Sequence, residues 1–136
     1  MAVATVLVVL AGAVVAADST CDGGGCVGTR GTDTITGSSG DDLIAGLEGN
    51  DTINSGSGRD VVYGDEGDDT VTDNGDDRAG EVVYGDEGND TINVRMTGPL
   101  GPGDGDEVHC GPGKRDRVLY DSADTVAKDC EIKRPG

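Results

Sequence analysis

The stretch that decides the fold runs from Gly37 to Thr72: GSSGDDLIA (37–45), GLEGNDTIN (46–54), SGSGRDVVY (55–63) and GDEGDDTVT (64–72). Written in nines, each unit has Gly at its fourth position, Asp at its sixth and Ile or Val at its eighth. The register extends in both directions. GTRGTDTIT (28–36) precedes it, and GDEGNDTIN (85–93) follows a twelve-residue unit, DNGDDRAGEVVY (73–84). That longer unit stays in register if three residues are inserted in its turn, since EVVYGDEGNDTI (81–92) then matches DVVYGDEGDDTV (60–71). The sixth positions are therefore Asp33, Asp42, Asp51, Asp60, Asp69, Glu81 and Asp90. The eighth are Ile35, Ile44, Ile53, Val62, Val71, Val83 and Ile92. Such a fixed period is the signature of a stacked repeat architecture.

The nine residues divide by local chemistry. Six of Gly, Asp, Asn and Ser suit a tight turn. Three such as Thr-Ile-Asn or Val-Val-Tyr suit a short strand, where β-branched and aromatic residues are favoured. Two units then make one coil of strand, turn, strand and turn, and unit n lies over unit n+2. This predicts an all-β fold, a parallel β-roll or β-solenoid, with coils spaced at ~4.8 Å. Stacking puts Asp33, Asp51, Asp69 and Asp90 in one column and Asp42, Asp60 and Glu81 in the other. Position 8 is expected inward and positions 7 and 9 outward.

Composition supports a fold that does not depend on a thick core. The 136 residues include 25 Gly, three Tyr and no Phe or Trp, with a formal net charge of −17. Residues 1–113 carry 22 acidic and 4 basic side chains, whereas 114–136 carry 5 and 6. Phosphate would be repelled, so nucleic acid is excluded as a partner. Hard divalent cations fit, because carboxylates stacked one coil apart repel until a cation lies between them.

These units resemble the hemolysin-type (RTX) calcium-binding repeat, G-G-x-G-x-D-x-U-x with U a large aliphatic residue. The resemblance covers 28–93. It implies a parallel β-roll with Ca²⁺ as cofactor and the carboxylates of Asp33, Asp42, Asp51, Asp60, Asp69 and Asp90 as metal ligands, beside turn carbonyls. Most units lack the second Gly, which only Gly56 supplies, and Glu81 replaces an Asp. The stretch CGPGKRDRVLYDSADTVAKDCE (110–131) is similar to the tail of small secreted actinobacterial proteins of this group.

Outside the array, residues 1–17 are apolar and end in small residues, with Val15 and Ala17 at the −3 and −1 positions of a cleavage site. They are expected to be a signal peptide without a basic n-region, leaving no membrane span after cleavage and placing the protein outside the cell. Residues 18–27 form an N-terminal cap with a Cys pair. Residues 94–136 form divergent repeats and a C-terminal cap, keeping Asp106 with Val108 and Asp116 with Val118; Pro99, Pro102 and Pro112 interrupt any ladder there. Cys21, Cys26, Cys110 and Cys130 allow three disulfide pairings, of which Cys21–Cys26 with Cys110–Cys130 is the most economical. A Cys₄ zinc site is disfavoured by the absence of Cys-x₂-Cys spacing.

No HExxH or GxSxG motif is present, and His109 is the single histidine, so the chain reads as a non-catalytic calcium-binding module that folds on binding. The outward positions differ between the two strand sets. Odd units present Thr34, Thr52, Thr70 and Thr91; even units present Leu43, Val61 and Val82 with Ala45, Tyr63 and Tyr84. The apolar face is expected to be covered by Val94, Met96, Leu100 or Val118. The alternative is a calcium-dependent adhesin whose Tyr63/Tyr84 face engages a protein partner or a second copy.

Overall fold

The computed structural model describes residues 14–15, 18–21, 24–75, 79–95 and 105–136. Among these residues it is a parallel β-solenoid of fourteen short strands in two seven-stranded sheets. One sheet has the order β1 (Val14–Val15), β3 (Gly24–Val27), β5 (Asp42–Glu48), β7 (Val61–Glu66), β9 (Val82–Tyr84), β11 (Glu107–His109), β13 (Thr125–Val126). The other runs β2 (Asp18–Thr20), β4 (Thr34–Thr36), β6 (Thr52–Asn54), β8 (Thr70–Thr72), β10 (Thr91–Asn93), β12 (Arg117–Tyr120), β14 (Ile132–Pro135). Strands alternate between sheets along the chain, so each pairs with the strand two further on, as the nine-residue period requires.

Register follows the repeat. Ile35 lies beside Ile53, Ile53 beside Val71 and Val71 beside Ile92; Ile44 lies beside Val62 and Val62 beside Val83. The last step in each row spans the twelve-residue unit without breaking the ladder. The extra residues fall between the end of β8 at Thr72 and the start of β9 at Val82. Position 8 fills the narrow interior: Ile35, Ile44, Ile53, Val62, Val71, Val83 and Ile92 are all buried, with Thr neighbours turned outward. With one β-branched residue per strand, this core is a single file of side chains between two sheets.

The coiling does not stop at Asn93. β11 pairs with β9 and β12 with β10, so Val108 and Val118 extend the same interior file. Disulfides Cys21–Cys26 and Cys110–Cys130 lie at its two ends, both inside the core cluster. Of the expected signal peptide, only Val14–Val15 lies among the described residues, and its backbone pairs with Cys26 and Val27.

Two expectations for the outer face need correction. Val94 and Val118 do not cover the tyrosines, because both are fully buried in the interior file; Met96 and Leu100 lie outside the described residues. Ala45 points outward but is buried. It sits in register between Val27 and Tyr63, which with Leu43 and Leu47 form a small second apolar cluster around it.

Candidate metal centre

The sixth-position carboxylates form two vertical columns, and each holds the backbone of the coil before it. The Asp33 N–H donates to Asp51 Oδ1 at 2.8 Å, Asp51 N–H to Asp69 Oδ1 at 2.8 Å, and Asp69 N–H to Asp90 Oδ1 at 2.9 Å. The ladder continues as Asp90 N–H to Asp116 Oδ1 at 2.9 Å and Asp116 N–H to Glu131 Oε2 at 3.0 Å. On the opposite edge, Asp42 N–H donates to Asp60 Oδ1 at 2.8 Å and Glu81 N–H to Asp106 Oδ1 at 2.9 Å. One carboxylate oxygen per coil thus does a structural job, tying each turn to its neighbour. The expected columns are present, and Asp106 and Asp116 prolong them.

The second oxygen separates the six predicted ligands into two groups. In Asp33 it accepts from Thr29 N–H at 2.5 Å, and in Asp42 from Ser38 N–H at 2.6 Å. In Asp51, Asp60, Asp69 and Asp90 the Oδ2 is buried with no hydrogen-bond partner. The difference follows the second position of the unit. Where Oδ2 lacks a partner, that position has positive φ: Leu47 at 81°, Gly56 at 94°, Asp65 at 70° and Asp86 at 66°. Thr29 and Ser38 are not of that kind, and their N–H groups reach the carboxylate. A left-handed residue redirects the peptide N–H, and the carboxylate oxygen is left for another partner. Buried acceptors are rarely left without one.

The glycine that opens the Asp51, Asp69 and Asp90 units leaves room for that partner. A Cβ at Gly46 would stand 2.4 Å from Asp51 Oδ2 and 2.7 Å from Gly64 O; at Gly64, 2.5 Å from Asp69 Oδ2 and 2.6 Å from Gly85 O. At Gly85 the figures are 2.4 Å to Asp90 Oδ2 and 2.8 Å to Cys110 O. A carboxylate oxygen and a carbonyl oxygen from successive coils therefore face the same space. The donors are all oxygen, as hard cations such as Ca²⁺ require.

Electrostatics agrees. Burial, reinforced by neighbouring carboxylates, pushes the Asp60, Asp69 and Asp90 carboxyls up to about 7, against the lowering effect of the backbone N–H groups they accept. Burial likewise raises Asp51, Asp116, Asp65 and Asp86. Charging Asp60, Asp69 and Asp90 is costly because burial strips them of water and the charges that act on them are other carboxylates. A divalent cation would reverse the sign of that interaction.

A solenoid whose turns direct buried carboxylates and carbonyls into shared spaces belongs to the class of cation-binding repeat proteins. The sequence pattern of the RTX calcium-binding nonapeptide repeat matches in four copies, at residues 27–62, 36–71, 46–79 and 80–94, the first three overlapping, which together span half the chain. The chain belongs to that family of calcium-binding repeats. Neither a curated protein nor a solved structure matches it. His109, the single histidine, stacks on Tyr84 and bonds Glu107 Oε1 at 2.8 Å.

Proposed function

We propose that the protein is a secreted module whose β-roll is completed by Ca²⁺, with metal bound between successive turns. Asp51, Asp60, Asp69 and Asp90 would supply the strongest carboxylate ligands and turn carbonyls the rest; Asp33 and Asp42, whose second oxygens already accept a backbone N–H, would bind more weakly. The observation that carries this reading is the set of four buried Oδ2 atoms without partners. Because Ca²⁺ would bind the folded coil and not the open chain, binding free energy becomes folding free energy. The affinity expected of an extracellular module is a Kd of ~10⁻⁴–10⁻³ M.

Secretion is supported by the apolar run 1–17, the paired cysteines and the small-protein tail at 110–131. Cleavage after Ala17 would remove β1 and leave β3 as the first strand of its sheet, with 18–27 as cap, 28–93 as repeat array and 94–136 as divergent repeats and cap. Far-UV circular dichroism of the mature chain through a calcium titration tests the reading. β-Sheet signal should grow with calcium, and a spectrum unchanged up to millimolar Ca²⁺ would rule it out.

A second reading rests on one observation. Tyr63, Tyr84 and His109 stack in register on the outer face of the first sheet, with ring centroids 4.9 and 5.1 Å apart. All three are half-buried among the described residues, which leaves part of each ring for a partner or a second copy. Sedimentation with and without calcium tests it, with dimers in calcium only as the supporting outcome.

A further inference from the structure

The twelve-residue unit departs from the repeat at its first position. Gly28, Gly37, Gly46, Gly64 and Gly85 open their units, but Ser55 opens the fourth and Asp73 the sixth. At Gly46, Gly64 and Gly85 an added Cβ would meet the unit's own sixth-position carboxylate at 2.4 to 2.5 Å. Any side chain at this position therefore enters the space that the carboxylate and the next coil's carbonyl share. Asp73 places a second carboxylate there.

The neighbours are also acidic. Asp73, Glu81 and Asp106 each bring a carboxylate oxygen within 4.8 Å of the others, and all three residues are buried. On the preceding coil, the Ser55 hydroxyl donates to Asp73 Oδ1 at 3.4 Å. Asp60, the sixth residue of that Ser55 unit, is fully buried with Oδ2 lacking any hydrogen-bond partner, and the Asp73 charge is among those acting on it.

We propose that Asp73, Glu81 and Asp106 form a divalent-cation site of a different kind from the repeat sites, bordered by Asp60 and the Ser55 hydroxyl. It rests on the calcium reading above but uses a first-position carboxylate that the repeat replaces with glycine. A repeat site draws on one sixth-position carboxylate per unit; this one gathers three. Affinity in oxygen-ligand sites rises with ligand charge. This site therefore fills first, and it fixes a coil whose length breaks the period. Ca²⁺ is preferred over Mg²⁺, because three buried carboxylates leave little room for the waters that Mg²⁺ retains.

The test is a calorimetric calcium titration of the full-length, disulfide-bonded protein. The wild type should show one tight ion ahead of a weaker class. Asp73→Asn and Glu81→Gln should each weaken the tight ion at least tenfold and leave the weaker class in place. Asp73→Gly, which restores the repeat residue and is the variant best able to fold, should move that ion into the weaker class. Glu107→Gln, at an exposed position, should change nothing. Calcium binding without a one-ion tight class, or a tight class untouched by both Asp73 variants, would overturn this site while leaving the repeat sites standing. No calcium binding at all would overturn both.

Discussion

Replacing Asp69 by Asn should have opposite effects with and without calcium. Asp69 is 1% exposed, its Oδ1 accepts from Asp51 N–H at 2.8 Å, and its Oδ2 has no partner. Its carboxyl is pushed from the ordinary 3.8 to about 7 by burial, with Asp90, Asp51 and Asp65 adding like charge. That interval corresponds to ~4 kcal/mol needed to ionise it in the metal-free coil, an upper bound since neighbouring carboxyls titrate together. Asn keeps the Oδ1 acceptor. It also places an NH₂ donor where Oδ2 shares space with Gly85 O. In EDTA at pH 8 the variant should therefore be more stable than wild type by roughly 2–4 kcal/mol. At pH 4, where the wild-type carboxyl is already neutral, the difference should vanish. In saturating calcium the order reverses, and the variant should need about tenfold more Ca²⁺, or ~1.4 kcal/mol. Urea unfolding followed by far-UV circular dichroism measures all three. If wild type has lost its β-signal in EDTA at pH 8, the gain is read as recovery of that signal in the variant. An Asn variant less stable than wild type in EDTA at pH 8 would refute the argument that this carboxylate awaits a cation.

Three further outcomes follow from the same geometry. Between about pH 4 and about pH 7 the metal-free protein should lose stability as pH rises, because Asp60, Asp69 and Asp90 titrate near 7 in the fold and near 3.8 outside it; urea midpoints in EDTA across pH 3–9 should plateau at both ends, with calcium affinity rising over the same window. Gly64→Ala should cost ~1–3 kcal/mol and disturb the Asp69 site, since its Cβ meets Asp69 Oδ2 and Gly85 O, whereas Gly40→Ala, with open space around it, should change the calcium-bound melting temperature little. Ile53→Ala should cost ~2–5 kcal/mol from the single-file core, while Thr52→Ala, on the exposed face, should cost well under ~1 kcal/mol by chemical denaturation in calcium.

The sequence by itself determined the coil. Turn-forming Gly and Asp and a three-residue β-branched strand are local preferences, and a nine-residue period repeats them in phase. Strand alternation, the two carboxylate columns and the inward Ile/Val file follow from that period alone. So did Asp106–Val108 and Asp116–Val118, whose Asp-x-Val spacing survives where the glycines do not, although the prolines obscured the continuation of both sheets. The tertiary structure decided which oxygens are left over. Whether a carboxylate's second oxygen already accepts a backbone N–H follows the φ of a residue four positions earlier. That is not written in the Asp itself: Asp42 and Asp51 occupy the same repeat position and differ in this respect. Only stacking brings Asp73, Glu81 and Asp106 together, because they come from the first and sixth positions of one unit and from the sixth position of the unit one coil further on.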